Sequence, residues 1–142
     1  MPSPLKLRFI KTASPAELKE IITLYRAQGW WSPGDKPGTL PLLIKGSHCF
    51  VTARKSGRLI GMGRAISDGA SDAYIQDVMV LRAERGTGAG SSIVKAIYRR
   101  LKADGIKWVG LIAQDNSSPF YSRLGFKLIR RAQPMLSKNS HV

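Results

Sequence analysis

The sequence predicts an α/β (α+β) fold, with a mixed central sheet in a three-layer arrangement and helices on both faces. Three features indicate this class. Short apolar segments separated by turn residues fill residues 48–81, a glycine-rich loop follows at 85–91, and an amphipathic segment then leads into a continuous apolar run. Strands joined by tight turns pair antiparallel, whereas a helical crossover joins parallel strands. We therefore expect an antiparallel N-terminal meander followed by a parallel pair, in a single domain of residues 1–142.

The chain is predicted to begin with a strand and two helices. Leu5–Ile10 alternates loosely and has the length of a strand. Ser14-Pro15-Ala16-Glu17 is a capping box with proline at the first helical position, so a helix is expected from Pro15 to about Gln28. A loop rich in proline and glycine follows, and Thr39–Ile44 is expected as a second, short helix.

The rest of the chain is expected to complete the sheet. After the glycine-rich loop, apolar residues recur at helical spacing and end at Asp104-Gly105, which predicts a helix. This helix would join two parallel strands. A short helix capped by Asn116 or Ser117 should end at Gly125. The four main strands are predicted at His48–Arg54, Arg58–Ser67, Ala73–Leu81 and Trp108–Ala113, and two final ones at Phe126–Ile129 and Met135–Ser137.

The glycine-rich loop Arg85–Ser91 is predicted to bind an anion. Glycine occupies every second position from Gly86 to Gly90, so backbone N–H groups can approach a ligand closely. The following helix adds its unpaired N–H groups and the positive end of its dipole, and Arg85 adds a mobile countercharge. No Lys-Ser/Thr pair follows, which argues against a P-loop, and the G-x-G-x-G spacing with Asp104 too close argues against a dinucleotide fingerprint.

This loop and a second motif resemble those of the GNAT N-acetyltransferase superfamily. Arg85, Gly88 and Gly90 match the family's pyrophosphate motif Q/R-x-x-G-x-G/A, and a strand precedes them as in the family. The segment Asn116–Phe126, NSSPFYSRLGF, is similar to a downstream family signature that ends in Leu-Gly-Phe. The resemblance is specific over residues 73–126 and departs at Arg82, where the family often has proline.

The resemblance implies an enzyme that takes acetyl-CoA as its co-substrate, needs no metal and acetylates a primary amine by direct transfer. Gln76–Leu81 would present backbone groups to the pantetheine arm, and a backbone N–H around Val78 or Met79 would polarise the thioester carbonyl. Tyr121 matches the family tyrosine near the CoA sulfur, where a phenol can protonate the departing thiolate. The alternative is that Phe120 and Tyr121 form a core aromatic pair. The implied cofactor-binding residues are Val78, Met79, Val80, Arg85, Gly86, Thr87, Gly88, Ala89, Gly90, Ser91 and Asn116.

The acceptor amine is not specified by these motifs. Trp30 and Trp31 lie in a segment that covers the acceptor pocket in the family, but they would serve equally well to close the core. In a regular strand, Tyr74 and Gln76 should share a face with Val78 and Val80, and Asp77 should lie on the other face. A bulge would exchange the faces. The candidate substrate-binding residues are Trp30, Trp31, Tyr74, Gln76 and Asp77.

The acidic residues near this strand allow two interpretations. Asp68, Asp72 and Asp77 would together form a subsite for a cationic amine, or the first two would make Asx turns. Asp77 is a candidate general base, and a chain of water or the bulk solvent is the alternative.

Charge and cysteine content suggest further interpretations. The chain carries 23 Lys and Arg against 9 Asp and Glu, a formal net charge of +14. A basic nucleic-acid-binding domain is therefore one alternative function, although no recognition motif supports it, and a CoA-binding module without catalysis is another. Adjacent His48 and Cys49 would form a nucleophile pair, but neighbours on a strand point to opposite faces, which favours a packed cysteine.

Location and assembly are expected from what the sequence contains. No apolar run approaches the roughly 20 residues of a membrane span and no signal core follows Lys6 and Arg8, so we expect a cytoplasmic protein. The segment Arg130–Val142 is short for completing a sheet, and the family frequently pairs through its C-terminal strands. A homodimer is therefore expected.

Overall fold

The computed structural model of the chain describes residues 3–32 and 38–140. The helices are α1 (Pro15–Ala27), α2 (Thr39–Gly46), α3 (Ala89–Ala103) and α4 (Ser118–Arg123). The strands are β1 (Leu5–Phe9), β2 (Cys49–Lys55), β3 (Arg58–Ser67), β4 (Asp72–Val80) and β5 (Trp108–Leu111). A 3-10 turn at Arg82–Glu84 connects β4 to the glycine-rich loop. The predicted loop before α2 falls largely at residues 33–37, outside the described residues.

The described strands form one mixed sheet in the order β1-β2-β3-β4-β5. β1 to β4 pair antiparallel in succession, because each is joined to the next by a turn or by helices that return the chain to the same edge. β5 pairs parallel to β4, as expected of two strands joined by a crossover through α3. The predicted fold class is confirmed.

The two faces of the sheet carry separate apolar cores. α1 and α2 cover one face, with fully buried Ile21 and Leu40 at their centres. α3 covers the other face with Ile93 and Ile97, and α4 packs beside it through Phe120. The amphipathic spacing of each helix accounts for its buried stripe.

The helix ends follow the local chemistry of the sequence. The Ser14 hydroxyl accepts a hydrogen bond from the Glu17 backbone N–H at 3.2 Å, so the predicted cap of α1 is present. α3 starts at Ala89, four residues before Ile93, its first large apolar side chain, because Gly88 adopts a φ of 89° and caps it. It ends at Asp104, and Gly105 leaves the helix with a φ of 84°.

Two glycines in β3 allow α3 to lie close to the sheet. A Cβ built on Gly63 would lie 2.8 Å from Ile93 Cγ2 and 2.9 Å from Ile97 Cδ1. A Cβ on Gly61 would lie 3.0 Å from Ile93 Cδ1 of the same helix and 2.9 Å from the Met79 carbonyl oxygen of β4. Contacts this short do not occur between ordinary side chains, so the absence of side chains at these two positions sets the distance between helix and sheet.

The prediction of two final strands, at Phe126–Ile129 and Met135–Ser137, is wrong. Described residues after α4 form no strand, and Leu128 and Met135 are 82% and 92% exposed. An apolar segment becomes a strand only when a partner edge is available, and the neighbouring β5 is itself just four residues long. β5 also ends at Leu111, before the predicted Ala113, and Ser117 caps α4 without a side-chain hydrogen bond.

The close packing of α3 on β3 predicts the effect of a single methyl group. Replacing Gly63 with alanine should lower the free energy of unfolding by about 1–3 kcal/mol, because the new Cβ overlaps two isoleucines of α3. Chemical denaturation measures the change. Gly46→Ala is the matched control, since a Cβ there meets nothing within 4 Å and should leave stability unchanged or slightly higher. Equal stability of the two variants would contradict the packing argument.

Candidate functional site

β4 separates from β5 halfway along its length. Their pairing runs from Asp72–Trp108 to Ile75–Leu111 and ends there. On its other edge β4 remains paired with β3 as far as Val80. The backbone of residues 76–80 therefore borders an opening between two parallel strands, with edge groups that no described strand takes up.

A bulge in β4 lies beside this opening. Met62 pairs with Met79 and Arg64 with Gln76, so two steps along β3 correspond to three along β4. The extra residue is accommodated at Asp77, whose φ is 55°. Aspartate is among the residues that tolerate this left-handed conformation, which makes it a suitable bulge residue.

The bulge exchanges the faces of β4. Val78 and Val80 pack on the core beneath α3, whereas Met79 packs on the core beneath α1 and α2. Of the two alternatives the bulge is correct, and Val78 and Val80 do not share a face with Tyr74 and Gln76. These two side chains point away from α3, as Asp77 does, and Tyr74 contacts the Trp108 ring edge-on at 5.1 Å. The extra residue shifts the alternation by one position, which the residue pattern alone did not reveal.

The glycine-rich loop connects the end of β4 to α3 and directs backbone donors outward. Gly86 and Gly88 have φ angles of 80° and 89°, which glycine adopts without a side-chain clash. The first backbone hydrogen bond of α3 joins the Ser92 N–H to the Gly88 carbonyl at 3.0 Å. Within the described chain, the N–H groups of residues 86–91 have no hydrogen-bond acceptor. They form a cluster of donors at the positive end of the α3 dipole.

Arg85 is tethered, not mobile. Its Nε donates to the Val80 carbonyl at 3.0 Å, and its Nη2 donates to Gln28 Oε1 at 3.2 Å. The prediction of a mobile countercharge is therefore wrong for this structure. The guanidinium joins the end of β4 to the end of α1 and keeps its positive charge beside the loop.

Tyr121 lies on α4, which packs against the first turn of α3. A Cβ on Gly90 would lie 3.3 Å from the Phe120 ring, so the loop and α4 are in direct contact. The Tyr121 ring meets Phe120 and Phe126 edge-on at 4.9 and 6.0 Å. Its hydroxyl has no hydrogen-bond partner among the described residues, and burial raises the pKa of Tyr121 above its usual range. The ring belongs to an aromatic cluster, while the hydroxyl keeps its proton and is available to a ligand.

Asn116 precedes α4 in a loop that bends sharply. It is exposed and has a φ of 60°, next to Asp115 with a φ of 52°. It does not cap α4, since Ser117 occupies that position.

A polar cluster that the sequence did not predict surrounds Asp77 on the α1 side of the sheet. Asp77 Oδ2 accepts hydrogen bonds from the Tyr25 hydroxyl at 2.8 Å and from Arg64 Nε at 2.6 Å. Arg64 also donates to Gln76 Oε1 at 3.3 Å and to Ser47 Oγ at 3.4 Å. Burial, followed by the neighbouring Asp77 charge, raises the pKa of the Tyr25 hydroxyl well above its usual range, so Tyr25 acts as a donor.

The sequence contained little evidence for Tyr25 and Arg64. Tyr25 occurs at an apolar position of an amphipathic helix and reads as core, which its 2% exposure also supports. Arg64 is a charged residue within an otherwise apolar strand, and this is the one signal that could have marked it. A charge enclosed in a sheet needs a partner, and the partner could be identified only from the fold.

Trp30 and Trp31 adjoin this cluster through Tyr25. The Trp31 ring stacks on Tyr25 at 4.5 Å, and the Trp30 ring lies 6.1 Å from it in a tilted arrangement. Both tryptophans are half-buried against the core beneath α1 and α2. They help to close that core and still expose part of their surface.

Asp68 and Asp72 do not join Asp77. Asp68 accepts hydrogen bonds from the backbone N–H groups of Ala70, Ser71 and Asp72 in the turn before β4, and these bonds lower its pKa. Asp72 begins β4, five residues and roughly 16 Å of strand from Asp77. The turn interpretation is therefore correct for Asp68, and a three-carboxylate subsite is wrong.

His48 and Cys49 are separated as expected. The Cys49 thiol is buried and burial raises its pKa, which disfavours the reactive thiolate. His48 Nε2 lies 2.8 Å from Asp104 Oδ2 on the outer surface. Cys49 is a packed core residue.

Two further observations concern the described surface. The described residues contain no group of three or more acids, histidines or cysteines that could hold a metal ion, and no described helix is long and apolar enough to cross a membrane. A groove of about 440 Å³ lies away from the loop, beside α1 and β2. There Arg54 pairs with Glu17 at 2.8 Å and Glu20 at 3.0 Å, so these charges satisfy one another.

Comparison with known proteins identifies this arrangement. Residues 41–135 match the family model described as an acetyltransferase (GNAT) domain. The chain is 34% identical over 126 residues to an uncharacterized N-acetyltransferase, ycf52, from Porphyra purpurea. The aligned region covers 86% of this chain and 71% of that protein. It spans only 27% to 30% of the length of several plant acetyltransferases that it matches.

Solved structures share the fold. A probable acetyltransferase, SA2161, from methicillin-resistant Staphylococcus aureus superposes with a TM-score of 0.79 at 26% identity, over 95% of this chain and 99% of that one. The aminoglycoside N-acetyltransferase AAC(6')-Iy, solved in complex with CoA, has a TM-score of 0.73 at 17% identity, over 97% of each chain, and supports the fold alone. The family model matches most of the chain, and the mixed sheet opens between β4 and β5. The chain therefore belongs to the GNAT acetyltransferase family.

Proposed function

We propose that the chain is an N-acetyltransferase that transfers the acetyl group of acetyl-CoA directly to a primary amine. The observation that carries the proposal is the opening between β4 and β5, which leads directly into a loop with unpaired backbone donors. The unpaired strand edge offers hydrogen-bonding groups to an extended ligand such as the pantetheine arm of CoA. The loop beside it offers donors to the pyrophosphate.

The residues around the opening fit the parts of acetyl-CoA. The N–H groups of Gly86 through Ser91 would bind the pyrophosphate, since a helix start and left-handed glycines direct donors at one anion. The backbone of Val78, Met79 and Val80 would hydrogen-bond the pantetheine arm, with Asn116 on the opposite side. Arg85 would add positive charge from its tethered position. No metal is required by this set of donors.

The residues of the chain supply three contributions to acyl transfer. Acetyl-CoA provides an activated acyl group, in which the C–S bond breaks as the C–N bond forms. A backbone N–H at Val78 or Met79 would stabilise negative charge on the carbonyl oxygen. Tyr121, whose phenol is protonated at neutral pH and whose pKa burial raises further, would give its proton to the departing sulfur and recover one from solvent. The proton lost by the amine would pass to water.

The alternative functions have weaker support. A CoA-binding module without catalysis would not need an unpartnered phenol next to Phe120, whose ring adjoins Gly90 of the loop, so Tyr121 favours the enzyme. A nucleic-acid-binding domain has the net charge of +14 in its favour. Charge of this kind supports binding that is independent of sequence and sensitive to salt, so no specific nucleic acid is proposed. The cytoplasmic location and the single-domain organisation stay predictions.

We also propose that two copies associate through the segment after α4. Four of its apolar side chains are exposed, with no described element covering them: Leu128, Ile129, Met135 and Leu136. The adjacent β5 is an edge strand whose outer side is unpaired in the described chain. Exposed apolar side chains next to an open edge are typical of a surface that pairs with another chain.

The association predicts a dimer in solution. Sedimentation equilibrium of the wild-type chain at micromolar concentration should give twice the mass of 15.6 kDa. Replacing Leu128 and Leu136 with lysine should shift the equilibrium toward monomer, because each removes apolar area from the interface. Lysine at Leu42, which is 72% exposed on α2, is the matched control. A monomeric wild type over this range would rule out the dimer.

The loop assignment predicts that Gly88→Val weakens acetyl-CoA binding by about tenfold or more, because a branched side chain displaces the anion from the backbone donors. A Cβ at this position meets no protein atom within 4 Å, so a loss would not come from a clash inside the chain. Isothermal calorimetry measures the affinity. Gly69→Val is the control for backbone strain, since Gly69 has a similar φ of 75° in a distant turn. Equal loss in both variants would contradict the assignment.

Tyr121→Phe separates the catalytic role of Tyr121 from a packing role. Loss of the hydroxyl should lower kcat by roughly ten- to a thousandfold while acetyl-CoA affinity changes little. The aromatic contacts with Phe120 and Phe126 are retained, so the melting temperature should stay close to that of the wild type. Tyr98→Phe is the matched control, because its ring is 40% exposed on the outer side of α3. A wild-type kcat for Tyr121→Phe would exclude the catalytic role.

A further inference from the structure

The charged residues around the β4 bulge indicate which kind of primary amine the chain accepts. This inference rests on the proposed function. The loop and Tyr121 lie on the α3 side of the sheet, where acetyl-CoA is proposed to bind. An acceptor must then approach the acyl group through the opening from the α1 side. Asp77 is the described acid whose side chain borders the opening on that side.

Other described acids near the sheet are paired with cations or lie farther away, as Asp72 does at the first residue of β4. Glu84 pairs with Lys55 at 3.3 Å, and Asp104 pairs with His48 and Arg100. In a chain with a net charge of +14, a cationic acceptor is repelled at long range and needs a local anion to bind. Asp77 also pairs with a cation, Arg64 at 2.6 Å, but through Oδ2 alone, so its second oxygen remains for an acceptor at the opening.

One oxygen of Asp77 is held and the other is available. Oδ2 accepts hydrogen bonds from Tyr25 and Arg64, while Oδ1 has no hydrogen bond with a described residue. The side chain retains 23% of its exposure, against 15% for that of Arg64. A carboxylate has about four acceptor positions, so two donors at Oδ2 leave capacity for an ammonium group.

The surroundings of the cluster are partly apolar. Trp31 stacks on the same Tyr25 ring whose hydroxyl holds Asp77, and Trp30 lies beside it. Both tryptophans expose part of their surface. A ligand bound at Asp77 would therefore have the aromatic group of Tyr25 and its two tryptophan neighbours on the same side of the sheet.

We propose that Asp77 binds the ammonium group of the acceptor, that Tyr25 and Arg64 are positioning residues for Asp77, and that the acceptor is a primary ammonium ion on an apolar body. The anchor holds the amine next to the acyl group before it loses its proton to water. The bulge is what brings the carboxylate to this position, since a regular strand would direct Asp77 to the opposite face from Gln76.

Binding measurements test the anchor independently of turnover. Calorimetry on the full chain saturated with CoA would compare phenethylamine with 2-phenylethanol, which has the same skeleton and no charge. The wild type should prefer the amine. Asp77→Asn should weaken phenethylamine binding by roughly 10- to 100-fold and leave the alcohol and CoA unchanged, because the ionic contact with the ammonium group is lost while an amide oxygen can still accept from Tyr25 and Arg64. Asparagine tolerates the left-handed backbone at this position, so the bulge is kept.

The controls separate charge from position. Asp72→Asn removes an exposed carboxylate from the far end of the same strand and should not change amine binding. Tyr25→Phe and Arg64→Lys should each weaken amine binding by about three- to tenfold, with unchanged CoA affinity, because Asp77 loses one of its two donors. A purely structural role would lower CoA affinity and the melting temperature together.

Turnover distinguishes this inference from the proposed function. If the wild type transfers acetyl groups to phenethylamine, Asp77→Asn should raise KM for the amine with little change in kcat. A fall in kcat at constant KM would make Asp77 a base and overturn the anchor. If acetyl transfer is absent but amine binding still depends on Asp77, the proposed function fails and the anchor stands. A wild type that binds phenethylamine no better than 2-phenylethanol overturns the anchor.

Discussion

At Asp77, β4 carries one residue more than the strand opposite it, and its backbone turns through a φ of 55°. Three properties of the site depend on this residue. The bulge exchanges the faces of the strand, which places Val78 and Val80 under α3. It directs the Asp77 side chain toward Tyr25 and Arg64. It also lies beside the point where β4 leaves β5, so the polar cluster borders the opening. Without the bulge, the strand would have a regular edge and no polar cluster beside its opening.

The position of the glycine-rich loop depends on packing elsewhere in the sheet. α3 lies close to β3 because Gly61 and Gly63 carry no side chain where Ile93 and Ile97 approach. The N-terminus of α3, with its unpaired donors, is therefore held at the end of β4. Arg85 adds a second connection, since it joins Val80 to Gln28 at the end of α1. Core packing and a single guanidinium together place the loop.

The few acids of this basic chain have mostly local structural roles. Glu17, Glu20 and Glu84 pair with cations of β2, and Asp68 organises a turn through backbone hydrogen bonds. Pairs of this kind on a solvent-accessible surface add little stability individually. Their effect is to leave Asp77 as the acid at the opening and to leave many lysines and arginines without an acidic partner in the described chain. The positive surface favours an anionic ligand, and the cationic acceptor proposed above would rely on one carboxylate.

The sequence by itself determined the order and type of most elements, the two family motifs and the packed state of Cys49. These follow from local rules: the capping box at Ser14, the left-handed glycines at the start of α3, and an apolar stripe on each helix. The tertiary structure decided where β4 changes face, which residues hold Asp77, and that Arg85 is tethered. It also decided that residues 126–137 form no strand. Each of these depends on a partner distant in sequence, such as Tyr25 for Asp77 or a free strand edge for the tail. Residue patterns report which side chains alternate along a segment, whereas register and pairing are set by the neighbours that the fold supplies.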